Sequence, residues 1–66
     1  MKVITNGAPT DVPDGSTLTD LLEILGLGAR WVVAERNGEA IQRREMAKLV
    51  LVDGDRIELV RAVAGG

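Results

Sequence analysis

Two Asn-Gly dipeptides, Asn6-Gly7 and Asn37-Gly38, divide this chain more sharply than any other feature of it. A tight two-residue hairpin turn needs positive φ at both positions, and asparagine followed by glycine supplies it. The first dipeptide lies between β-favouring residues 1–5 and a weaker return strand over 8–12, where Pro9 suits a sheet edge. The second joins a strand over 31–36 to another over 39–41. Between the hairpins, Leu18, Leu21, Leu22 and Leu25 fall at i, i+3, i+4 and i+7, the apolar stripe of a helix of about ten residues. Pro13-Asp14-Gly15 turns the chain into it, and Thr17 or Ser16 is placed to cap it. Thr17 with Asp20 approximates a capping box, Asp20 also suits the positive end of the helix dipole, and Gly26 or Gly28 supplies the stop. Residues 42–48 are polar and too short for an independent helix, 49–52 lead into a turn at Asp53-Gly54-Asp55, and 56–61 alternate as a last strand. The order is β-β-α-β-β-β, an α+β roll with one main helix packed on one face of the sheet.

A chain of 66 residues is near the lower limit for folding without staples, since it buries only about 60% of its unfolded surface. It has no cysteine, hence no disulfide framework and no thiolate metal site. Phenylalanine is absent and Trp31 is the single aromatic, so the core must come from aliphatic side chains. The expected core is Val3, Leu18, Leu21, Leu22, Leu25, Val32, Ala34, Leu51, Ile57 and Leu59, with Thr5 partly buried if Val3 faces inward.

The same composition restricts function. With no histidine, the commonest general base and metal ligand is missing. Covalent catalysis would fall to Ser16, threonines, lysines or carboxylates without a histidine helper, so the chain is not expected to be an enzyme by itself. A net charge of -2, with Arg43-Arg44 too short a run to form a basic patch, argues against nucleic acid. No apolar stretch approaches the ~18 residues of a membrane span, and the start lacks the hydrophobic run of a signal peptide. A soluble cytoplasmic domain over 1–66 is expected. Asp53-Gly54-Asp55 offers too few oxygens for a calcium or magnesium cage and reads as a turn.

The remaining feature is the end. Ile57-Glu58-Leu59-Val60 reads as strand, and Arg61-Ala62-Val63-Ala64 carries small and apolar residues out to Gly65-Gly66. Glycines without Cβ can enter a slot too narrow for any side chain, and they present a carboxylate. Taken alone, such a pair reads equally as a frayed terminus.

The whole chain resembles the β-grasp, ubiquitin-like fold, and more closely the ThiS family of sulfur carriers in thiamine biosynthesis. The likeness lies in Met1-Lys2-Val3-Ile4-Thr5-Asn6-Gly7, in Thr17-Leu18-Thr19-Asp20-Leu21-Leu22, and in Val32-Val33-Ala34-Glu35-Arg36-Asn37-Gly38-Glu39. Its specific part is Asp53-Gly54-Asp55-Arg56-Ile57-Glu58-Leu59-Val60 followed by Ala64-Gly65-Gly66. Gln42 stands where the family often has proline, and Met46 near a common aromatic position.

The resemblance implies a mixed sheet of four to five strands and an extended, flexible tail over 61–66. It implies that a ThiF-like enzyme spends ATP to adenylate Gly66, with Gly65 and Ala64 giving access. A persulfide sulfur donor would then leave a thiocarboxylate for a ThiG-like thiazole synthase; the carrier needs no cofactor of its own. In a β-grasp sheet the first and last strands are parallel neighbours and the third lies beyond the last. Alternation then puts Ile4, Val33 and Val60 on the face without a helix, as a docking surface to which Arg61 is a further candidate. A MoaD-type subunit of molybdopterin synthase is the rival within the fold, although those chains usually run longer and hold more aromatics. A ubiquitin-like interaction module with no chemistry at its tail is the rival from another class.

Overall fold

The computed structural model describes residues 1–61; 62–66, with Ala64, Gly65 and Gly66, lie outside the described residues. Strands β1 (Lys2–Thr5) and β2 (Ala8–Asp11) form the first hairpin, and β3 (Val32–Arg36) and β4 (Glu39–Ile41) the second. Both turn as the Asn-Gly chemistry requires, with φ of 49° and 83° at Asn6-Gly7 and 50° and 86° at Asn37-Gly38. The fifth strand, β5 (Arg56–Arg61), enters between the hairpins, giving the order β2-β1-β5-β3-β4. It runs parallel to β1, with Thr5 beside Ile57, and antiparallel to β3, with Ala34 beside Leu59. With one helix covering one face, this is the β-grasp α+β fold.

The helix α1 (Leu18–Ile24) begins where its capping box places it. The Asp20 amide donates to the Thr17 hydroxyl at 3.2 Å, and the Thr17 amide to the Asp20 carboxylate at 2.9 Å. The remaining early donors reach the segment crossing beneath: Leu18 N–H bonds the Leu49 carbonyl and Thr19 N–H the Met46 carbonyl, so the first turn leaves no orphan. The helix is shorter than its leucine stripe. Gly26, at φ 73°, bonds back to Glu23 while Leu27 N–H reaches the Leu22 carbonyl, a Schellman closure that ends the helix at Ile24. Leu25, expected in the core, is therefore the C-cap and 38% exposed; Leu27 packs against the core after it.

The other predicted core residues Val3, Leu18, Leu21, Leu22, Val32, Ala34, Leu51 and Ile57 are buried, and Leu59 is half-buried against them. Val12 and Met46 join the core as well. Val3 and Thr5 face the helix, and Thr5 Oγ1 is buried with no partner among the described residues. Residues 49–52 form no strand; an isolated bridge between Thr17 and Val50 and the bond from Leu51 N–H to the Ser16 carbonyl hold that crossing.

Side chains from both hairpin turns clasp β5. Asn6 accepts from the Leu59 amide at 2.8 Å and donates to the Leu59 carbonyl at 3.2 Å. Asn37 accepts from the Arg56 amide at 2.9 Å and donates to Asp55 at 3.1 Å. Asp55, buried at the entrance to β5, also accepts from the Val52 amide at 2.9 Å and pairs with Arg36 at 3.0 Å.

Candidate functional site

The path to the tail is set by β5, the middle strand of five. It starts at Arg56, beside the Asp53-Gly54-Asp55 turn, and ends some 16 Å away at Arg61, at about 3.3 Å per residue. Arg61 is held by its register opposite Val32, the first residue of β3. Gly66, Gly65 and Ala64 follow beyond the described residues. The tail is thus rooted in the best-paired strand of the sheet, at the end opposite the N-terminus of β1.

On the face away from the helix, the register brings together two of the three apolar docking candidates. Val33 and Val60 are direct cross-strand neighbours, 56% and 64% exposed. Ile4 is level with Arg56, about 13 Å back along β5, and is half-buried. Between them lie Glu58 and Glu35, exposed and directly opposite one another. The apolar surface here is therefore a Val33–Val60 pair at the root of the tail, separated from Ile4 by two carboxylates.

Around the same root stand residues that the sequence did not single out for function. A single 3-10 turn, Ala29–Trp31, leads into β3, and Trp31 is left half exposed with the Arg30 guanidinium 5.5 Å from its ring centroid. Arg43 crosses from the turn after β4 and donates to the Arg30 carbonyl at 3.2 Å. Arg30, Arg43 and Arg61 are exposed, and none makes an ion pair among the described residues, whose pairs are Met1–Asp14, Lys2–Asp11, Arg36–Asp55 and Arg44–Glu45. The available signal was one aromatic flanked by an arginine just before the strand that pairs with β5.

The opposite end is acidic and already engaged. The Met1 ammonium donates to Asp14 at 2.9 Å and to the Val12 carbonyl at 2.9 Å. The hydrogen bond to Asp14 holds its pKa above the ordinary value near 8.0, with smaller contributions from the charges of Asp53 and Asp11. Asp53 accepts from the Lys2 amide at 2.8 Å. A shallow depression of about 480 Å³ lies beside the first turn of α1, lined by Asp14, Asp20, Glu23 and Ile24 among others. Two of its carboxylates serve the Met1 ammonium and the helix cap, so it has the character of a structural surface. Among the described residues no cluster of acidic, histidine or cysteine side chains could hold a metal ion, and no helix is long and apolar enough to cross a membrane.

Comparison with known proteins gives a consistent picture. The family model described as the ThiS family matches residues 3–66. The chain is similar to a crystal structure of a thiamine biosynthesis protein (ThiS) from Geobacter metallireducens, with a TM-score of 0.84, 32% identity and full coverage of both chains. A solution structure of a thiamine biosynthesis protein from the same organism gives a TM-score of 0.80 at 32% identity, covering 100% of this chain and 88% of that one. Two thiazole synthases are also similar over all 66 residues, at 35% identity in Paramagnetospirillum magneticum and 38% in Magnetococcus marinus. The chain spans 20% of the length of those curated relatives.

Proposed function

This chain belongs to the ThiS family, the ubiquitin-like sulfur carriers of thiamine biosynthesis, and we propose that it works through Gly66. A carboxylate is inert to nucleophiles at neutral pH, so it needs activation. A ThiF-like enzyme joins the Gly66 carboxylate to the AMP portion of ATP and releases pyrophosphate. Sulfur from a persulfide donor displaces AMP and leaves a thiocarboxylate. The carrier is the cosubstrate of these steps; the partner holds the ATP.

The observation that carries this reading is the continuity of β5 with the tail. The middle strand of the sheet, bonded on both sides, leads directly into 62–66. Five extended residues span at most about 17 Å, so the partner's reacting atoms must lie within that reach of Arg61. Gly65-Gly66 can pass a constriction that side chains cannot. The absence of cysteine from the chain means that no internal thiol can capture the activated acyl group.

For the acceptor we propose a ThiG-like thiazole synthase. Support comes from the two thiazole synthases in which a segment similar to this chain occupies a fifth of one polypeptide, since physical linkage raises the effective concentration of carrier at acceptor. The family match favours this product over the molybdopterin reading.

Transfer of AMP from labelled ATP tests the proposal, using the ThiF-like enzyme of the source organism. Wild-type chain is expected to accept AMP, and Gly66→Trp to accept none while keeping its melting temperature. Normal labelling of Gly66→Trp would overturn the assignment. Full partner affinity without labelling of either chain would instead mark an interaction module.

A further inference from the structure

We propose that Arg30, Trp31, Arg43 and Arg61 form a cationic collar at the root of the tail, docking against an acidic rim around the slot of the enzyme that activates Gly66. The proposal rests on the reading of Gly66 as the activated residue.

Register places the collar. Val32 pairs with Arg61, so Arg30 and Trp31 immediately precede the residue across from the last described position of β5. Any enzyme that takes in the tail from that point must cover this end of the molecule. Arg43 is tied to the same end by its 3.2 Å bond to the Arg30 carbonyl. A half-exposed indole carrying a guanidinium on its face is a costly arrangement to leave in water, and tryptophan with arginine is the pairing that dominates desolvated interface centres. Val33 and Val60 continue the apolar surface onto the uncovered sheet face.

Charge selects the occupant. The chain carries a net charge of -2, yet three arginines without ionic partners among the described residues gather at the tail end. At the other end Asp11, Asp14 and Asp53 surround the Met1 ammonium. A molecule of this polarity is repelled by an acidic surface in most orientations and attracted in one, with the tail leading. Such polarity raises the rate of correctly oriented encounter and is weakened by salt. It also sets positive charge beside a carboxylate that must approach the phosphates of ATP.

The test uses the full chain and the ThiF-like enzyme of the source organism. The single tryptophan, replaced by 5-fluorotryptophan, gives one fluorine resonance. Saturating enzyme is expected to shift or broaden it. In AMP transfer, Arg30→Glu/Arg43→Glu should raise KM for the carrier about tenfold with kcat nearly unchanged, and should remove the increase of KM with salt. Arg30→Lys/Arg43→Lys should retain both the low KM and its salt dependence. An unmoved resonance while wild-type chain accepts AMP would eliminate the collar and leave the tail chemistry standing. A moved resonance with no AMP transfer would overturn the reading of Gly66, and the collar's assignment with it. A resonance shifted by duplex DNA and not by the enzyme would overturn the choice of partner.

Discussion

At the start of β5, Asp55 is buried and satisfied by the Val52 amide, Asn37 and Arg36; at its finish, Arg61 is exposed and held through its backbone pairing with Val32. The first end is tied to both hairpins, to the turn before β5 and to the start of β1. The second presents arginines, an indole and a valine pair to solvent. One strand therefore joins the region where the fold is fixed to the region from which the tail departs. Charges withdrawn from water at one end contribute to stability only because they are paired, while unpaired charges at the other stay hydrated and available to a partner.

Removing the clasp should have the largest effect. Asp55→Ala leaves the Val52 amide, Asn37 and Arg36 without their acceptor and should cost about 3 kcal/mol in urea unfolding. A loss below about 0.5 kcal/mol would show that the two ends do not differ in the way described.

Next in size is a gain. Thr5 lies level with Ile57, near the clasp, with its hydroxyl buried and unpartnered among the described residues. Thr5→Val removes the unmet polar group at similar volume and should stabilise the fold by about 1 kcal/mol. Destabilisation would mean that the hydroxyl is satisfied in solution.

At the finish of β5 the expected stability change is smaller. Arg30→Glu/Arg43→Glu alters exposed side chains and should move the unfolding free energy by less than about 0.5 kcal/mol, although it weakens partner recognition. A large loss of stability would assign these arginines to the fold.

The smallest effect is the pH response of the Met1 ammonium. Its pKa is raised in the folded chain, chiefly by the hydrogen bond from Asp14, so folding favours the protonated form. The stability it contributes is complete below the ordinary value near 8.0 and is lost as pH rises through the elevated folded value. Asp14→Asn should flatten that decline in thermal melts recorded across alkaline pH. An unchanged slope would show that another group titrates there.

The hairpins, the capping box and the edge position of Pro9 were legible because each depends on residues a few positions apart. The end of the helix was not. A leucine stripe counts favourable positions, but the choice of Gly26 over Gly28 as terminator decides whether Leu25 belongs to it. Val12 and Met46 were missed because each stands alone among polar neighbours or turn residues with no period to mark it. The clasps of Asn6 and Asn37 join residues 53 and 19 positions apart, a distance at which only the sheet order could have revealed them. At the candidate site, alternation gave the face of Ile4, Val33 and Val60 correctly. Their spacing along β5 depended on register, and Glu58 separates Ile4 from the others.

The most direct measurement of the central claim, that the β-grasp body serves to present Gly66 for sulfur loading, is the intact mass of the chain after incubation with ATP, the ThiF-like enzyme and a persulfide donor. The account predicts a gain of about 16 Da, from one oxygen exchanged for sulfur through the acyl adenylate, localised to the C-terminal residue by fragmentation and absent from Gly66→Trp. An unchanged mass under conditions where the enzyme loads a known carrier, or the same gain located elsewhere in the chain, would contradict it.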